Sequence, residues 1–220
     1  MMQYNVQSTK RAPLFRDEDF AGAETASLDF VCHDPDSSTH VPKVTCKLLH
    51  DERNIYGIYT VHDQYVRAVQ THYLDSVCED SCVEFFFKPD VGPGYFNLEM
   101  SANGTYLLYY VENPKRAKKG FEKYTQVPWE FGRLITVKTN LPRIVEPEIS
   151  VPVTWQAFFT IPLEALETFA GKMPSLTGRT WTANFYKCGD KTSMPHWIAW
   201  APLSATNFHA PAEFQPLHFL

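Results

Sequence analysis

Residues 94–111, "GYFNLEMSANGTYLLYYV", carry the clearest fold signal, because two strand-like runs flank an Asn-Gly pair. Asn103 and Gly104 both tolerate the left-handed backbone that a two-residue hairpin turn requires. The flanking runs are rich in aromatic residues, which are typical of strands. The segment therefore predicts an antiparallel β-hairpin with strands over residues 94–100 and 105–111.

Similar strand-like runs recur along most of the chain. They cover residues 43–49, 54–63, 64–69, 82–88, 134–139, 154–161, 179–188 and 216–220. Residues 162–171 are typical of a helix, with Pro162 suited to its first turn and Gly171 to its end. Many strands and one short helix predict an all-β, antiparallel β-sandwich. We expect a single domain over residues 1–220, with an irregular lead-in over residues 1–40.

The composition is that of a globular protein, with 44% hydrophobic and 20% charged residues. The net charge of −5 provides no basic field for nucleic acid, and the basic segment 114–120 is interpreted as a solvated connection. No apolar run approaches the ~20 residues that span a bilayer, and the N-terminus lacks the apolar stretch of a signal peptide. We therefore expect a cytoplasmic location and neither nucleic acid nor membrane as a partner; the oligomeric state is not indicated.

The chain has five cysteines, Cys32, Cys46, Cys78, Cys82 and Cys188. An odd number of cysteines without a secretory signal favours free thiols over disulfides. Cys78 and Cys82 lack a second Cys/His pair at a spacing typical of zinc sites. We therefore interpret the cysteines as small hydrophobic side chains and predict no metal site from them.

Alternation along the strands separates a core face from an outer face, because successive side chains point to opposite sides of a sheet. The apolar positions, such as Phe85, Leu98 and Phe185, are assigned to the core. The outer face then collects Glu84, Phe86, Asn97, Glu99, Asn184 and Tyr186. Rings can stack on the C–H faces of a pyranose, and amides and carboxylates can bond its hydroxyls. The pattern fits a sugar site, and an ordinary solvated sheet face is the alternative.

Two tryptophans stand three positions apart between prolines in residues 193–202, "SMPHWIAWAP". The prolines argue against a helix. Residues three apart on a strand point to opposite faces. We therefore expect one of Trp197 and Trp200 to face the core and the other to face a different surface.

Several segments occur in the order seen in family 9 carbohydrate-binding modules, over roughly residues 40–220. They are "EDSCVEFFF" (79–87), "GYFNLEMSANGTYLLYY" (94–110), "WQAFFTIPLEAL" (155–166), "WTANFYKCGD" (181–190), "IAWAP" (198–202) and "FQPLHF" (214–219). The chain most resembles the stand-alone family 9-like proteins. The resemblance implies an antiparallel β-sandwich of immunoglobulin/jelly-roll type, related to DOMON domains. It also implies non-catalytic binding of mono- or oligosaccharides of plant-polysaccharide type, such as xylan or cellulose fragments; relatives are often secreted and attached to xylanases.

The resemblance further implies roles for individual residues. Glu84 matches the glutamate that bonds sugar hydroxyls, and Trp200 matches one wall of an aromatic slot. Asn97 lies at about the place of a polar residue that assists, and Asn184 and Tyr186 lie on the strand that lines the slot.

The second aromatic wall departs from the family pattern. Cys78 stands where the xylanase modules have their second slot tryptophan, which leaves Tyr73 or Trp197 as candidates for that wall. If Trp200 is the wall, Trp197 is expected to face the core or the rim.

Calcium is a further property of the family. Asp34, Asp36 and Asp63 are the candidate ligands, since calcium prefers carboxylate and carbonyl oxygens. No calcium-loop spacing is visible, so no metal or other cofactor is predicted.

Two other functions remain open alternatives. A glycoside hydrolase, as in xylanase-associated proteins, needs a pair of carboxyl groups, and Glu84 and Glu99 both belong to the outer face. A haem or redox module of the related fold needs axial ligands, for which Met100 and Met194, with His196 nearby, are candidates. Met100 belongs to the predicted core face, which argues against the haem alternative.

Overall fold

The computed structural model describes residues 2–220 and consists mainly of β-strands. The strands are β1 (Tyr4–Ser8), β2 (Thr25–Ser27), β3 (Phe30–Val31), β4 (Lys43–His50), β5 (Asn54–Asp63), β6 (Val66–Ala68), β7 (Cys82–Lys88), β8 (Tyr95–Ser101), β9 (Tyr106–Arg116), β10 (Phe121–Gln126), β11 (Thr136–Thr139), β12 (Val145–Ile149), β13 (Val153–Pro162), β14 (Thr180–Cys188), β15 (Trp197–Ala199) and β16 (Gln215–Phe219). The helices are α1 (Trp129–Gly132) and α2 (Glu164–Ala170). Within the described range, neither helix has the length and apolar character needed to cross a bilayer.

Two sheets pack face to face as a β-sandwich. Sheet I has the strand order β10-β9-β8-β7-β14-β16-β1, and sheet II has the order β1-β4-β5-β13-β11. β15 extends β14 and pairs with β3, β2 pairs with β4, and β6 pairs with β12. The predicted all-β sandwich is confirmed.

β1 belongs to both sheets. Tyr4–Val6 pairs in parallel with β16, and Gln7–Ser8 pairs in parallel with β4. The expectation of an irregular lead-in over residues 1–40 is therefore wrong for this segment. The sandwich is also not wholly antiparallel, because both pairings of β1 are parallel.

The hairpin of residues 94–111 forms as expected, with β8 and β9 paired in antiparallel register. Gly104 has a φ of +88°, the left-handed conformation that the Asn-Gly pair predicts. The predicted helix forms as α2 and ends at Gly171, whose φ is +108°. Pro162, however, is the last residue of β13 rather than part of the first helical turn.

The core lies between the inner faces of the two sheets and is dominated by aromatic rings. Phe85 stacks on Phe185 at a centroid distance of 5.2 Å, and Phe87 stacks on Trp181 at 5.7 Å. Phe159 of sheet II lies directly opposite Gly57, so its ring covers the glycine backbone. Each fully buried large side chain contributes about 1.5–3 kcal/mol to the free energy of unfolding. The inner faces therefore supply most of the stability and leave the outer faces available for other roles.

Candidate functional site

A cavity of about 590 Å³ lies on the outer face of sheet I. Its floor is formed by side chains of β7, β8, β9 and β14, and its sides by β10 and β15. Residues 206–209, which we call the roof segment, line it as well. The polar side chains that line it include Glu84, Asn97, Glu99, Arg116 and Asp190, and the aromatic ones include Tyr109, Phe121, Tyr124, Trp197 and Phe208.

The strand register brings the predicted polar residues together. Glu84 on β7 lies directly opposite Glu99 on β8, and Asn97 lies opposite Phe86 in the adjacent row. Side chains directly opposite each other on neighbouring strands have Cβ atoms about 4.5–5.5 Å apart. Glu84, Asn97 and Glu99 therefore share one patch of the cavity floor, as the alternation predicted.

The two glutamates of the floor lie in an environment that disfavours their charged forms. Burial, and then the negative charge of Glu99, raise the pKa of Glu84 well above its ordinary value. Burial raises the pKa of Glu99 to about 7, although a hydrogen bond from Asn97 opposes this shift. The thiol of Cys188 donates to Glu84 Oε1 at 3.0 Å, and Asn97 Nδ2 donates to Glu99 Oε1 at 2.8 Å. Near neutral pH at least one of the two carboxyl groups can hold a proton and act as a donor.

Asn97 has an unsatisfied acceptor. Its side chain is fully buried, and Oδ1 has no hydrogen-bond partner within residues 2–220. A buried polar atom without a partner costs about 1–3 kcal/mol, so such atoms are rare unless a ligand or water completes them. Because Asn97 lines the cavity, a donor on a bound molecule can satisfy this atom.

The two tryptophans do point to opposite faces, but with the roles reversed. Trp197 is half-buried and lines the cavity, where its Nε1 donates to Asp190 Oδ1 at 2.8 Å. Trp200 is only 5% exposed and packs edge-on against Tyr4 and Phe185 in the core. The prediction that Trp200 forms an accessible wall is wrong, because Trp200 lies on the same inward face as Ile198 and packs in the core between the sheets.

Asn184 and Tyr186 lie on the outer face of β14, as expected, but neither lines the cavity. The Asn184 side chain is occupied by the backbone of Ala201, accepting from its N at 2.9 Å and donating to its O at 3.2 Å. Phe208 of the roof segment stacks on Tyr186 at a centroid distance of 4.0 Å and covers it. Both residues therefore support the segment that follows β15 instead of facing a ligand.

Tyr73, the other candidate for the second wall, lies outside the cavity. Its ring contacts Trp129 and Tyr106, and it borders a separate groove near the β8–β9 turn. Cys78 does line the cavity. Of the two proposed alternatives for the second wall, Trp197 is thus the one that the structure places at the cavity.

Sequence reasoning missed several residues that line the cavity. Arg116 was assigned to a solvated connection, but it ends β9, and its guanidinium lies 4.6 Å above the Phe121 ring. Tyr109 was missed because both faces of β9 are largely apolar, so alternation alone does not separate them. Phe208 and His209 belong to an irregular segment, which carries no periodic signal.

The candidate calcium ligands do not form a site. Asp63 is buried and its oxygens are already occupied by Lys187 at 3.4 Å, His40 at 2.8 Å and Trp155 Nε1 at 3.0 Å. Asp34 and Asp36 lie in an exposed turn, where Asp34 Oδ1 accepts from the Asp36 backbone. An ammonium group thus occupies the place at Asp63 that a cation would need.

The positions of the cysteines and of Met100 concern three alternatives from the sequence: disulfides, a zinc site and a haem site. All five cysteines are free thiols. The Sγ atoms of Cys82 and Cys188 and a carboxylate oxygen of Glu84 lie within 4.8 Å of one another beneath the cavity, a different grouping from the Cys78–Cys82 pair. Met100 is buried between the sheets, on the core face to which the sequence assigned it.

Comparisons with known proteins agree with this architecture. The family described as "Carbohydrate-binding family 9" matches residues 16–219. A candidate carbohydrate-binding protein from Bacteroides uniformis shares 29% identity, a TM-score of 0.85 and 99% coverage of both chains. No curated protein matches the chain.

Two solved structures of a family 9 module from Caldicellulosiruptor kristjanssonii share the fold at 11% identity. The module in complex with glucose has a TM-score of 0.66 and covers 100% of this chain and 96% of its own. The module in complex with cellotriose has a TM-score of 0.65 and covers 99% and 93%.

Proposed function

The chain belongs to carbohydrate-binding family 9, and on this premise we propose that the cavity of sheet I binds a mono- or short oligosaccharide. Carbohydrate-binding modules are a non-catalytic family, so the domain is a binding module and not an enzyme. The observation that carries the proposal is the pairing, in one cavity, of buried hydrogen-bonding groups with accessible rings. A cavity of about 590 Å³ with this lining is typical of small-ligand sites.

Each side of the cavity has a distinct role in this proposal. Trp197 and Tyr109 present rings on which the C–H face of a pyranose can stack. Glu84 and Glu99 accept hydrogen bonds from hydroxyls when ionised and donate one when protonated, while Asn97 offers an acceptor that has no other partner. The paired carboxyl groups, which sequence analysis also considered as a hydrolase pair, are thus assigned to the recognition of hydroxyls.

The class of sugar follows from the resemblance and from the structural relatives. The Caldicellulosiruptor structures are of complexes with glucose and cellotriose, which supports a β-linked glucan or a similar plant-polysaccharide fragment as the ligand here. Xylan fragments present the same equatorial ring hydroxyls but lack the hydroxymethyl group of glucose, and they are the second class to test.

Calorimetric titration with glucose, cellotriose and xylotriose tests this function. The decisive variant is Trp197→Ala, which removes the ring from the cavity wall; we expect affinity to fall about tenfold, which equals ~1.4 kcal/mol. Trp129→Ala is the matched control, because Trp129 is 56% exposed and lies in the separate groove. Equal losses in both variants would contradict the proposal, as would wild-type protein that binds neither these three sugars nor any other mono- or oligosaccharide tested.

A further inference from the structure

Three carboxyl groups line the cavity without forming an ion pair within residues 2–220. Glu84 and Glu99 lie side by side on the floor, and Asp190 lies at the rim. Across residues 2–220, ion pairs involve other acidic residues, and none of these three carboxylates takes part in one. Like charges this close repel each other in a partly desolvated site. Without a cation in contact with them, at least one of the two glutamates can therefore hold a proton, and a bound cation would favour the ionised forms of both.

The basic groups that line the cavity form no ion pair with these carboxyl groups. Arg116 is the one lysine or arginine among its lining residues in the described chain, and its exposed guanidinium lies over the Phe121 ring. Burial, and then the charge of Arg116, lower the pKa of His209 to about 3, so this imidazole is neutral at physiological pH. The His209 ring bonds to the Tyr95 hydroxyl at 2.8 Å and not to a carboxylate. The charge of Arg116 acts on Glu99 without an ion pair between them, so a ligand cation would be the first to contact these carboxyl groups directly.

Asn97 independently indicates a ligand that carries hydrogen-bond donors. Its fully buried side chain already donates to Glu99, and its Oδ1 lacks a donor. The nearby protein donors are committed elsewhere, since the Cys188 thiol bonds to Glu84 and Trp197 Nε1 bonds to Asp190. The floor thus offers more acceptors than donors. A ligand group that carries several N–H donors and a positive charge satisfies this acceptor and contacts the carboxyl groups at once.

We propose that the floor of the cavity takes the protonated amine of a sugar, so that a hexosamine with a free amino group is the preferred ligand. This inference rests on the proposed carbohydrate binding and specifies its substrate class. The ammonium would lie between the carboxylates of Glu84 and Glu99 and donate to Asn97 Oδ1, while the ring stacks on Trp197. Acetylation of the amine removes the charge and two donors, which makes the N-acetyl sugar a poor ligand for the same floor.

The test is calorimetric titration with glucose, glucosamine and N-acetylglucosamine, which differ only at C2. The titrations use phosphate buffer at pH 6.5 with a chelator, so that neither a buffer amine nor a metal at Cys82, Glu84 and Cys188 competes. We expect glucosamine to bind at least tenfold more tightly than the other two. A β-1,4-linked glucosamine dimer is included, and tighter binding of the dimer than of the monomer indicates an oligosaccharide as the source of the amine.

A Glu→Gln substitution inside the cavity is the test variant, and the same substitution outside the cavity is its control. Glu99→Gln should reduce the ratio of glucosamine to glucose affinity at least fivefold. Glu112→Gln should leave the ratio unchanged, because Glu112 pairs with Lys123 on β9 and β10 outside the cavity. Wild-type protein that binds glucose as tightly as glucosamine would overturn this inference and leave the proposed function intact. If none of the sugars in either experiment binds, both proposals are wrong.

Discussion

Trp197 and Trp200 show how two identical side chains three positions apart acquire opposite roles. Trp200 is enclosed by Tyr4 and Phe185, whereas Trp197 borders the cavity. Trp200→Ala should therefore lower the free energy of unfolding by about 3–5 kcal/mol, the usual cost of removing a large buried ring. Trp197→Ala should lower it by less than ~1 kcal/mol. Urea unfolding of both variants measures the difference, and a larger loss for Trp197→Ala would show that the assignment is reversed.

Glu99 predicts a pH dependence of stability. Its pKa is about 7 in the folded protein because of burial, against an unfolded value of ~4.3. Between these values the folded state holds more protons than the unfolded state, so this group lowers stability as pH rises from about 4.3 through 7. Glu99→Gln should therefore gain stability relative to wild type on going from pH 5 to pH 8. Urea midpoints at both pH values measure this gain, and Glu112→Gln should show none; a parallel shift in all three proteins would contradict the prediction.

The sequence predicted the position of a polar side chain correctly where the regular alternation of a strand decides which face of the sheet it lies on. Glu84, Asn97 and Glu99 lie in long, regular strands, where alternation determines the face and register determines the neighbours. Asn184 and Tyr186 obeyed the same rule but are covered, because the roof segment and Ala201 pack over them. Which part of a face is covered depends on irregular segments distant in sequence, and no local pattern reports it.

The strands themselves differ in how well sequence predicted them. Central strands such as β7 and β13 are buried on at least one face and carry strong apolar patterns. β10, "FEKYTQ", is an edge strand with mostly exposed positions, and it was missed. β1 is short, and both of its pairings are with strands distant in sequence, so its five residues carry too little pattern to be recognised.

Gly57 on β5 lies so close to the Phe159 ring of β13 that a larger residue there should destabilise the core. A Cβ at Gly57 would lie 2.1 Å from the Phe159 ring, which cannot move freely because it is fully buried. Gly57→Ala should lower the free energy of unfolding by about 1–3 kcal/mol, the typical cost of overpacking a core. Gly22→Ala is the control, since nothing lies within 4 Å of a Cβ there. Thermal unfolding measures both, and equal melting temperatures would exclude the steric conflict.

The two sheets are also joined by a buried ion pair. Asp63 ends β5 of sheet II, and Lys187 lies near the end of β14 of sheet I; both side chains are fully buried, and their N and O atoms are 3.4 Å apart. Burial disfavours the charged carboxylate, but Lys187, His40 and His196 together hold the pKa of Asp63 below its ordinary value. The pair therefore connects the two layers at one end of the sandwich.

Removal of one partner should be costly because it leaves the other charge buried alone. Lys187→Met should lower the free energy of unfolding by about 3–5 kcal/mol. Adding Asp63→Asn to this variant should cost less than the sum of the single changes. Lys123→Met breaks an exposed pair with Glu112 and should cost under ~1 kcal/mol. Additive losses in the double variant, measured by urea unfolding, would show that the two groups do not stabilise each other.

The arrangement of the site as a whole depends on parts of the chain that are distant in sequence. Sequence analysis correctly assembled the floor from β7 and β8, but the rim combines the end of β9, the residues around Asp190 and the roof segment. These segments meet only because β15 pairs with β14 and directs the following residues over the sheet. The floor could therefore be predicted from periodicity, whereas the walls required the tertiary structure.

The position of Trp197 gives the molecule an optical reporter. Of the five tryptophans, Trp155, Trp181 and Trp200 are shielded from solvent in the core, and Trp129 lies in a different groove. Only Trp197 borders the cavity, with its indole N–H bonded to Asp190. A molecule that enters the cavity displaces water from this indole alone, so the emission spectrum of the unmodified protein should shift with occupancy while the other four rings provide a constant background.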